Sequence, residues 1–193
     1  MLKVARQGIY WTIQGEGYYV GEPMIFIRLA GCSVGCPSCD TNYSFYRDAD
    51  ESSIVAECVR LREKHKRARH VWVTGGEPTD QDLGLLNSLL WESLFRPCIA
   101  TSGVRLVEHK WWHISVSPHD VEFVQQSGSE IKLVPELNGL DLDTIDLSRC
   151  AFAYWWVQPM AGSKTSLKRC CDWIEKHNNF RLSPQSHKSW GLP

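Results

Sequence analysis

Short apolar runs alternate with stretches of helical spacing along most of this chain. Met24–Leu29 (M-I-F-I-R-L) reads as a strand, with Ile27 and Leu29 on one face and Arg28 on the other. Ser53–His65 has helical periodicity, with Ile54, Val55, Cys58 and Leu61 on its apolar face. Val71–Val73 is a brief β-branched and aromatic run that ends at T-G-G-E-P. Asp80 is then placed to cap a helix whose apolar side carries Leu83, Leu86 and Leu90. Pro97–Ala100 reads as a strand followed by a turn at Ser102–Gly103, and Trp112–Val116 as a strand ending at Ser117–Pro118. Ile131–Val134 is another strand. Phe152–Val157 is apolar and aromatic throughout, which predicts a strand buried on both faces. Ser166–His177 is helical, and Arg181–Leu182 begins a last extended piece.

Strands alternating with helices argue for a parallel sheet covered by helices. Polar, Gly- or Pro-bearing segments recur just after the strands, where barrel-like α/β folds assemble their sites. Too few units are present for eight repeats. The fold class expected is therefore α/β, an incomplete TIM-like barrel of about six mostly parallel strands with reduced helices. Crossovers shrink to loops between Val104 and Trp112 and between Gln126 and Glu130. At 193 residues, with no linker, repeat or low-complexity segment, the chain is read as a single domain spanning 1–193.

Composition changes this picture little. Hydrophobic content of 43%, charged content of 22% and a net charge of −1 suit a soluble globular protein and give no global field for nucleic acid. The basic stretch from His65 to His70 is read as a solvated helix end. No apolar run approaches the ~20 residues needed to span a bilayer. Met1–Gly8 lacks the apolar segment of a signal peptide, so a cytoplasmic location and no membrane partner are expected. Of the eight cysteines, Cys58, Cys98, Cys150, Cys170 and Cys171 read as small buried hydrophobes rather than disulfide partners.

The other three carry chemistry. Cys32, Cys36 and Cys39 lie in G-C-S-V-G-C-P-S-C-D-T with C-x3-C-x2-C spacing. Three thiolates on one loop can wrap a metal centre yet leave one position open, whereas a closed zinc or electron-carrying site takes four ligands. Consecutive glycines in T-G-G-E-P (Thr74 to Pro78) expose backbone for close approach by a ligand. T-I-Q-G-E-G (Thr12 to Gly17) is either a hairpin turn or a hydrogen-bonding edge for a planar polar heterocycle. Arg28, inside a strand, either forms a structural ion pair or grips a carboxylate bidentately. The chain ends H-K-S-W-G-L-P, an unusual composition for a frayed tail.

Taken together and in order, T-I-Q-G-E-G, R-L-A-G-C-S-V-G-C-P-S-C-D-T, T-G-G-E-P, S-P, Q-P and the ending H-K-S-W-G-L-P resemble the 7-carboxy-7-deazaguanine synthase family of the radical S-adenosylmethionine (SAM) superfamily. The resemblance spans nearly the whole chain from Thr12. It implies a lyase that rearranges 6-carboxy-5,6,7,8-tetrahydropterin to 7-carboxy-7-deazaguanine with loss of ammonia, in queuosine and other 7-deazapurine biosynthesis. It implies a 4Fe–4S cluster on Cys32, Cys36 and Cys39, and magnesium on Thr41. SAM would be held by Ser38, Asp40, Gly76, Glu77, Ser117, His119, Gln158, Pro159 and Met160. The pterin would meet Ile13, Gln14, Gly15, Glu16, Arg28, Thr74, His187 and Pro193. It also implies a reductant such as flavodoxin and a homodimer, with no direct nucleic-acid binding. The hard chemistry would belong to the cofactors, with the protein positioning them.

The chain departs from the family pattern twice. His119 stands where lysine usually follows Ser-Pro, and Ala100 where glutamate often precedes Thr-Ser-Gly. Two rival readings remain: a radical SAM activase that makes glycyl radicals on a protein partner, and a non-catalytic metal or electron-transfer module.

Overall fold

The computed structural model describes residues 1–37, 39, 45–108, 110–135, 137 and 140–193. Nine strands form one sheet, in the order β3-β1-β2-β4-β5-β6-β7-β8-β9. The strands are β1 (Leu2–Ile13), β2 (Pro23–Leu29), β3 (Tyr46–Ala49), β4 (His70–Gly75), β5 (Arg96–Thr101), β6 (His113–Val116), β7 (Ser127–Leu133), β8 (Ala151–Val157) and β9 (Phe180–Leu182). From β2 to β9 every neighbouring pair is parallel, while β1 runs antiparallel to both β2 and β3. The six parallel strands expected from sequence are β2 and β4–β8, and the family of folds is the incomplete barrel that the alternation predicted.

The helices are α1 (Glu51–Lys64), α2 (Gly84–Glu92), α3 (Lys164–Lys176) and α4 (Ser186–Trp190). Asp50 caps α1 by accepting from the Ser53 N–H at 2.8 Å, and Ser163 caps α3 through Ser166. One core packs Ile54, Val55 and Cys58 of α1 and Leu86 and Leu90 of α2 against Ile25, Ile27, Val71, Val73 and Ile99 of the sheet. A second core joins Cys170 of α3 to Val116, Ile131, Leu133, Val157 and Phe180. On the other face of the sheet Met24, Trp72 and Cys98 are buried with Tyr19, Phe26 and Ala100 against them. Each strand thus sends alternate side chains to the helices and to the barrel interior.

Several local expectations are corrected. Asp80 does not cap α2; it ends a 3-10 turn, Pro78–Asp80, and α2 begins four residues later with Asp82 accepting from the Gly84 N–H. β8 is not buried on both faces: Ala151 and Ala153, two residues apart and so on one face, are exposed. Residues 127–130 belong to β7, so the reduced crossover is 117–126. Only His65 ends a helix, stacked on Trp11 at 4.3 Å; His70 is buried in β4. Cys58, Cys98 and Cys170 are buried, and burial pushes the Cys58 thiol up to about 12, but Cys150 is half-buried and Cys171 is exposed.

Candidate functional site

The C-terminal ends of the parallel strands carry the candidate site. The segment after β4 is laid directly against the start of the cysteine loop. Gly76 N–H donates to the Leu29 carbonyl and Glu77 N–H to the Gly31 carbonyl, both at 3.0 Å. Gly76 has to be glycine here, because a Cβ would overlap the Gly31 carbonyl oxygen and crowd Cys32. Gly75 adopts φ +126°, and a Cβ there would strike the Leu29 backbone. Gln81 adds a third tie, its Nε2 donating to the Ala30 carbonyl at 3.1 Å. The double glycine thus brings two stretches of bare backbone together beside Cys32.

Glu77 anchors this contact. Its side chain is buried, and its carboxylate accepts from Thr79 N–H (3.0 Å) and Oγ1 (2.7 Å), Thr101 Oγ1 (2.7 Å), and Ser102 N–H (2.8 Å) and Oγ (2.6 Å). Five donors from Thr79, Thr101 and Ser102 satisfy this buried carboxylate. Ser117 continues the row, its N–H donating to the Thr101 carbonyl at 2.8 Å. Two residues on, His119 Nδ1 lies 2.8 Å from Cys36 Sγ. Burial pulls the His119 imidazole below its ordinary pKa, against the nearby Glu77 charge.

The third component is the hairpin loop after β1. Gln14 is buried, with its amide oxygen accepting from Gly15 N–H (2.9 Å) and Glu16 N–H (3.2 Å). Glu16 forms an ion pair with Lys132 of β7 and accepts from Gln185 Nε2 at 2.9 Å. Burial alone would raise the Glu16 pKa; the charge and hydrogen bond of Lys132, then Gln185, hold it instead at about 2. Lys132 is pushed up, since Glu16 and Glu130 together outweigh the burial that would lower it. Glu130, fully buried, accepts from Tyr18 N–H (2.8 Å) and Trp156 Nε1 (2.7 Å), with His113 Nε2 at 3.6 Å. Burial would raise its pKa too, and the His113 contact and Lys132 charge bring it below the ordinary value.

The chain's last segment closes over this loop. Gly17 N–H donates to Ser183 Oγ at 2.8 Å and Ser186 N–H to the Gly15 carbonyl at 2.9 Å. His187 on α4 packs so closely on Gly15 that any Cβ there would overlap its ring. Gly191, left-handed at φ +66°, caps α4, and Leu192 N–H returns to the His187 carbonyl at 3.0 Å. Arg28 and Thr74 are register partners on β2 and β4, and Arg28 donates to the Tyr10 hydroxyl at 3.0 Å.

The structure therefore brings Gln14, Gly15, Glu16 and His187 together, sets Arg28 beside Thr74, and joins Gly76 and Glu77 to Cys32. Ile13 ends β1, while Gln158 is buried just beyond β8, its N–H donating to the Leu133 carbonyl at 2.8 Å. Pro159 and Met160 follow half-buried, Met160 N–H reaching Ser166 Oγ at 3.0 Å, and Pro193 is exposed. Ser38, Asp40 and Thr41 lie outside the described residues. Both carboxylate oxygens of Glu16 are engaged by protein, so its side chain braces the loop. Lys132, Glu130 and Gln185 were not singled out from sequence, and Thr101 and Ser102 were left out of the expected site because Ala100 precedes them. A Lys and a Glu alternating on an otherwise apolar strand, E-I-K-L, were the available signal for the first two.

Among the described residues no group of three His, Cys, Asp or Glu side chains is gathered as a metal would need. The donor chemistry nonetheless fits an iron–sulfur cluster. Three cysteines, none in a disulfide, sit within one loop, and the bare backbone of Gly76 backs the first of them. Gathering such ligands is coupled to metal uptake.

No protein-family model matches the chain. It is 34% identical over 208 residues to a 7-carboxy-7-deazaguanine synthase of Burkholderia multivorans, covering 96% of this chain and 97% of that one. It is 33% identical over 214 residues to the 7-carboxy-7-deazaguanine synthase of Escherichia coli K12, covering 93% and 95%. The crystal structure of QueE from Escherichia coli superposes with a TM-score of 0.72 at 27% identity, over 96% of this chain and 94% of that one.

Proposed function

The chain belongs to the 7-carboxy-7-deazaguanine synthase family, and from that premise we propose how its residues divide the work. It is a radical SAM enzyme of the queuosine pathway that converts 6-carboxy-5,6,7,8-tetrahydropterin to 7-carboxy-7-deazaguanine with loss of ammonia. The glycyl-radical activase reading is not favoured.

In our reading, Cys32, Cys36 and Cys39 hold a 4Fe–4S cluster. Bound together, cluster and SAM supply a reductively generated carbon radical. Ser38, Asp40, Gly76, Ser117, His119, Gln158, Pro159 and Met160 line the SAM site. Glu77, saturated by its five donors, sets the backbone of Gly75 and Gly76. Thr41 offers the hard oxygen that magnesium requires. Arg28, next to Thr74, receives the pterin carboxylate, a planar group matched by a guanidinium fork. The loop from Ile13 to Gly15 presents hydrogen-bonding edges to the pterin, with His187 and Pro193 closing from the far end of the chain. Glu16 and Lys132 brace that loop from behind. A flavodoxin-like reductant, a homodimeric state and a cytoplasmic setting complete the proposal; among the described residues no helix is long and apolar enough to cross a membrane.

The observation that carries this reading is the backbone docking of G-G-E-P onto Leu29 and Gly31, directly before the first cysteine of the three-cysteine loop. The test is an anaerobic assay of iron-reconstituted protein with SAM, reductant and the tetrahydropterin. Formation of the deazaguanine with ammonia is expected. Cleavage of SAM without deazaguanine would remove the substrate assignment, and a protein that takes up no iron would remove the whole reading.

A further inference from the structure

Asp80 and Arg105 lie outside the SAM and pterin contacts, yet they reach the cysteine loop. Asp80 ends the 3-10 turn that begins at Pro78 of G-G-E-P. Its carboxylate accepts from Ser33 N–H at 2.7 Å through Oδ2 and from Ser33 Oγ at 2.8 Å through Oδ1. Arg105, from the loop after β5, forms an ion pair with the same Oδ1 and reaches Ser33 Oγ at 3.3 Å. Ser33 is the residue directly after Cys32.

Upstream of Ser33 the loop is stitched by backbone and amide groups: Leu29 O to Gly76, Ala30 O to Gln81 and Gly31 O to Glu77. Asp80 adds the next peg along. It differs from the others in kind. A single carboxylate holds both the backbone N–H and the hydroxyl of one residue, so it fixes that residue's backbone direction and its side-chain rotamer at once. Its hydrogen bonds are charge-assisted. Arg105 holds the carboxylate from its solvent side. The pair is partly exposed, with 51% of the Arg105 side chain open to water. A pair so placed contributes little to global stability, whereas it fixes the peptide that leaves Cys32.

Resting on the reading that the three cysteines bind a cluster, we propose that Asp80, held by Arg105, is a positioning residue that aims Cys32 at the metal centre. Its role is to keep the first thiolate in ligating position, not to touch SAM or the pterin. Loss of the carboxylate leaves the barrel intact and loosens only this ligand.

The test compares wild type, Asp80→Ala, Asp80→Asn, Ser33→Ala and Arg105→Ala after anaerobic reconstitution. Iron release to a chelator is followed by absorbance, and thermal unfolding is measured separately on the iron-free proteins. Asp80→Ala should release iron about tenfold faster, the equivalent of about 1.4 kcal/mol for the lost charged hydrogen bonds. Asp80→Asn keeps one acceptor oxygen and should fall between. Ser33→Ala and Arg105→Ala should each give a smaller acceleration, since each leaves the Ser33 N–H bonded. Unfolding temperatures of the iron-free variants should match wild type. Wild-type iron release in Asp80→Ala would overturn the inference, and so would a lowered unfolding temperature of that iron-free variant, which would make Asp80 a general structural residue. A wild type that takes up no iron would instead sink the functional reading beneath it.

Discussion

A lysine enclosed between two carboxylates is the least replaceable charge in this molecule. Lys132 is buried against Glu16 and Glu130, and each partner is in turn held by neutral donors from distant segments. Removing the lysine leaves two uncompensated buried anions, which costs about 3–5 kcal/mol when one partner of a buried pair is lost. Lys132→Met should therefore lower the urea-unfolding free energy of the iron-free protein by that amount. Lys132→Met combined with Glu16→Gln should recover part of it; no recovery would mean that the pair is not coupled. Thr101→Val tests a second node, since it strips one donor from Glu77 while keeping the side-chain shape. A loss of about 1–3 kcal/mol is expected from the same measurement. The chemistry-bearing cysteines were legible because their spacing is local. The Glu16–Lys132 contact joins residues 116 apart, and nothing in either segment alone encodes its partner.

Elements were legible in proportion to how fully the core covers them. β2, β4, β5 and β6 are flanked by other strands, and each sends apolar side chains into the core that α1 and α2 complete. β1 escaped notice because its apolar alternation breaks at its bulge, where the register with β2 shifts between Val4 and Ile9. β3 has one buried residue of four, and α4 has five residues and none buried, so neither carries a periodic signal. α4 is set by what it docks on. Ser186 bonds the Gly15 carbonyl, and His187 covers the glycine. If this short helix shapes the pterin pocket, deleting Ser186–Pro193 should raise the pterin KM by about tenfold, near 1.4 kcal/mol of binding, while SAM cleavage without substrate persists. An unchanged KM would place the helix outside the pocket. Gly15→Ala should act in the same direction, because its Cβ takes the space of the His187 ring.

At the scale of the whole molecule, a net charge of −1 conceals where the charges are. The barrel interior concentrates Glu77, Glu130, Lys132 and His70 away from water, with Glu16 half-buried beside them. Folding holds the Glu16 pKa at about 2 against an ordinary 4.5, and Glu130 is shifted in the same direction. Because the unfolded chain binds these protons more readily, the stabilisation is present in full above pH 4.5 and is lost as pH falls toward 2. His70 adds to the same slope at a higher pH: burial lowers its pKa below 6.5, so acidification favours the unfolded, protonated imidazole. Lys132 works at the other end. Its raised pKa means that its contribution is complete below pH 10.5 and fades only above that. The protein should therefore be most stable near neutrality and lose stability in two acid stages. Urea unfolding of the iron-free wild type at pH 7, 5 and 3 measures both. Replacing Glu16 and Lys132 together by Gln and Met should flatten the second stage, between pH 5 and 3, and leave the first unchanged, because His70 is untouched. An equally steep second stage in that variant would show that the acid sensitivity resides in other carboxylates and that the pair behind the hairpin loop is not the charge centre of the barrel.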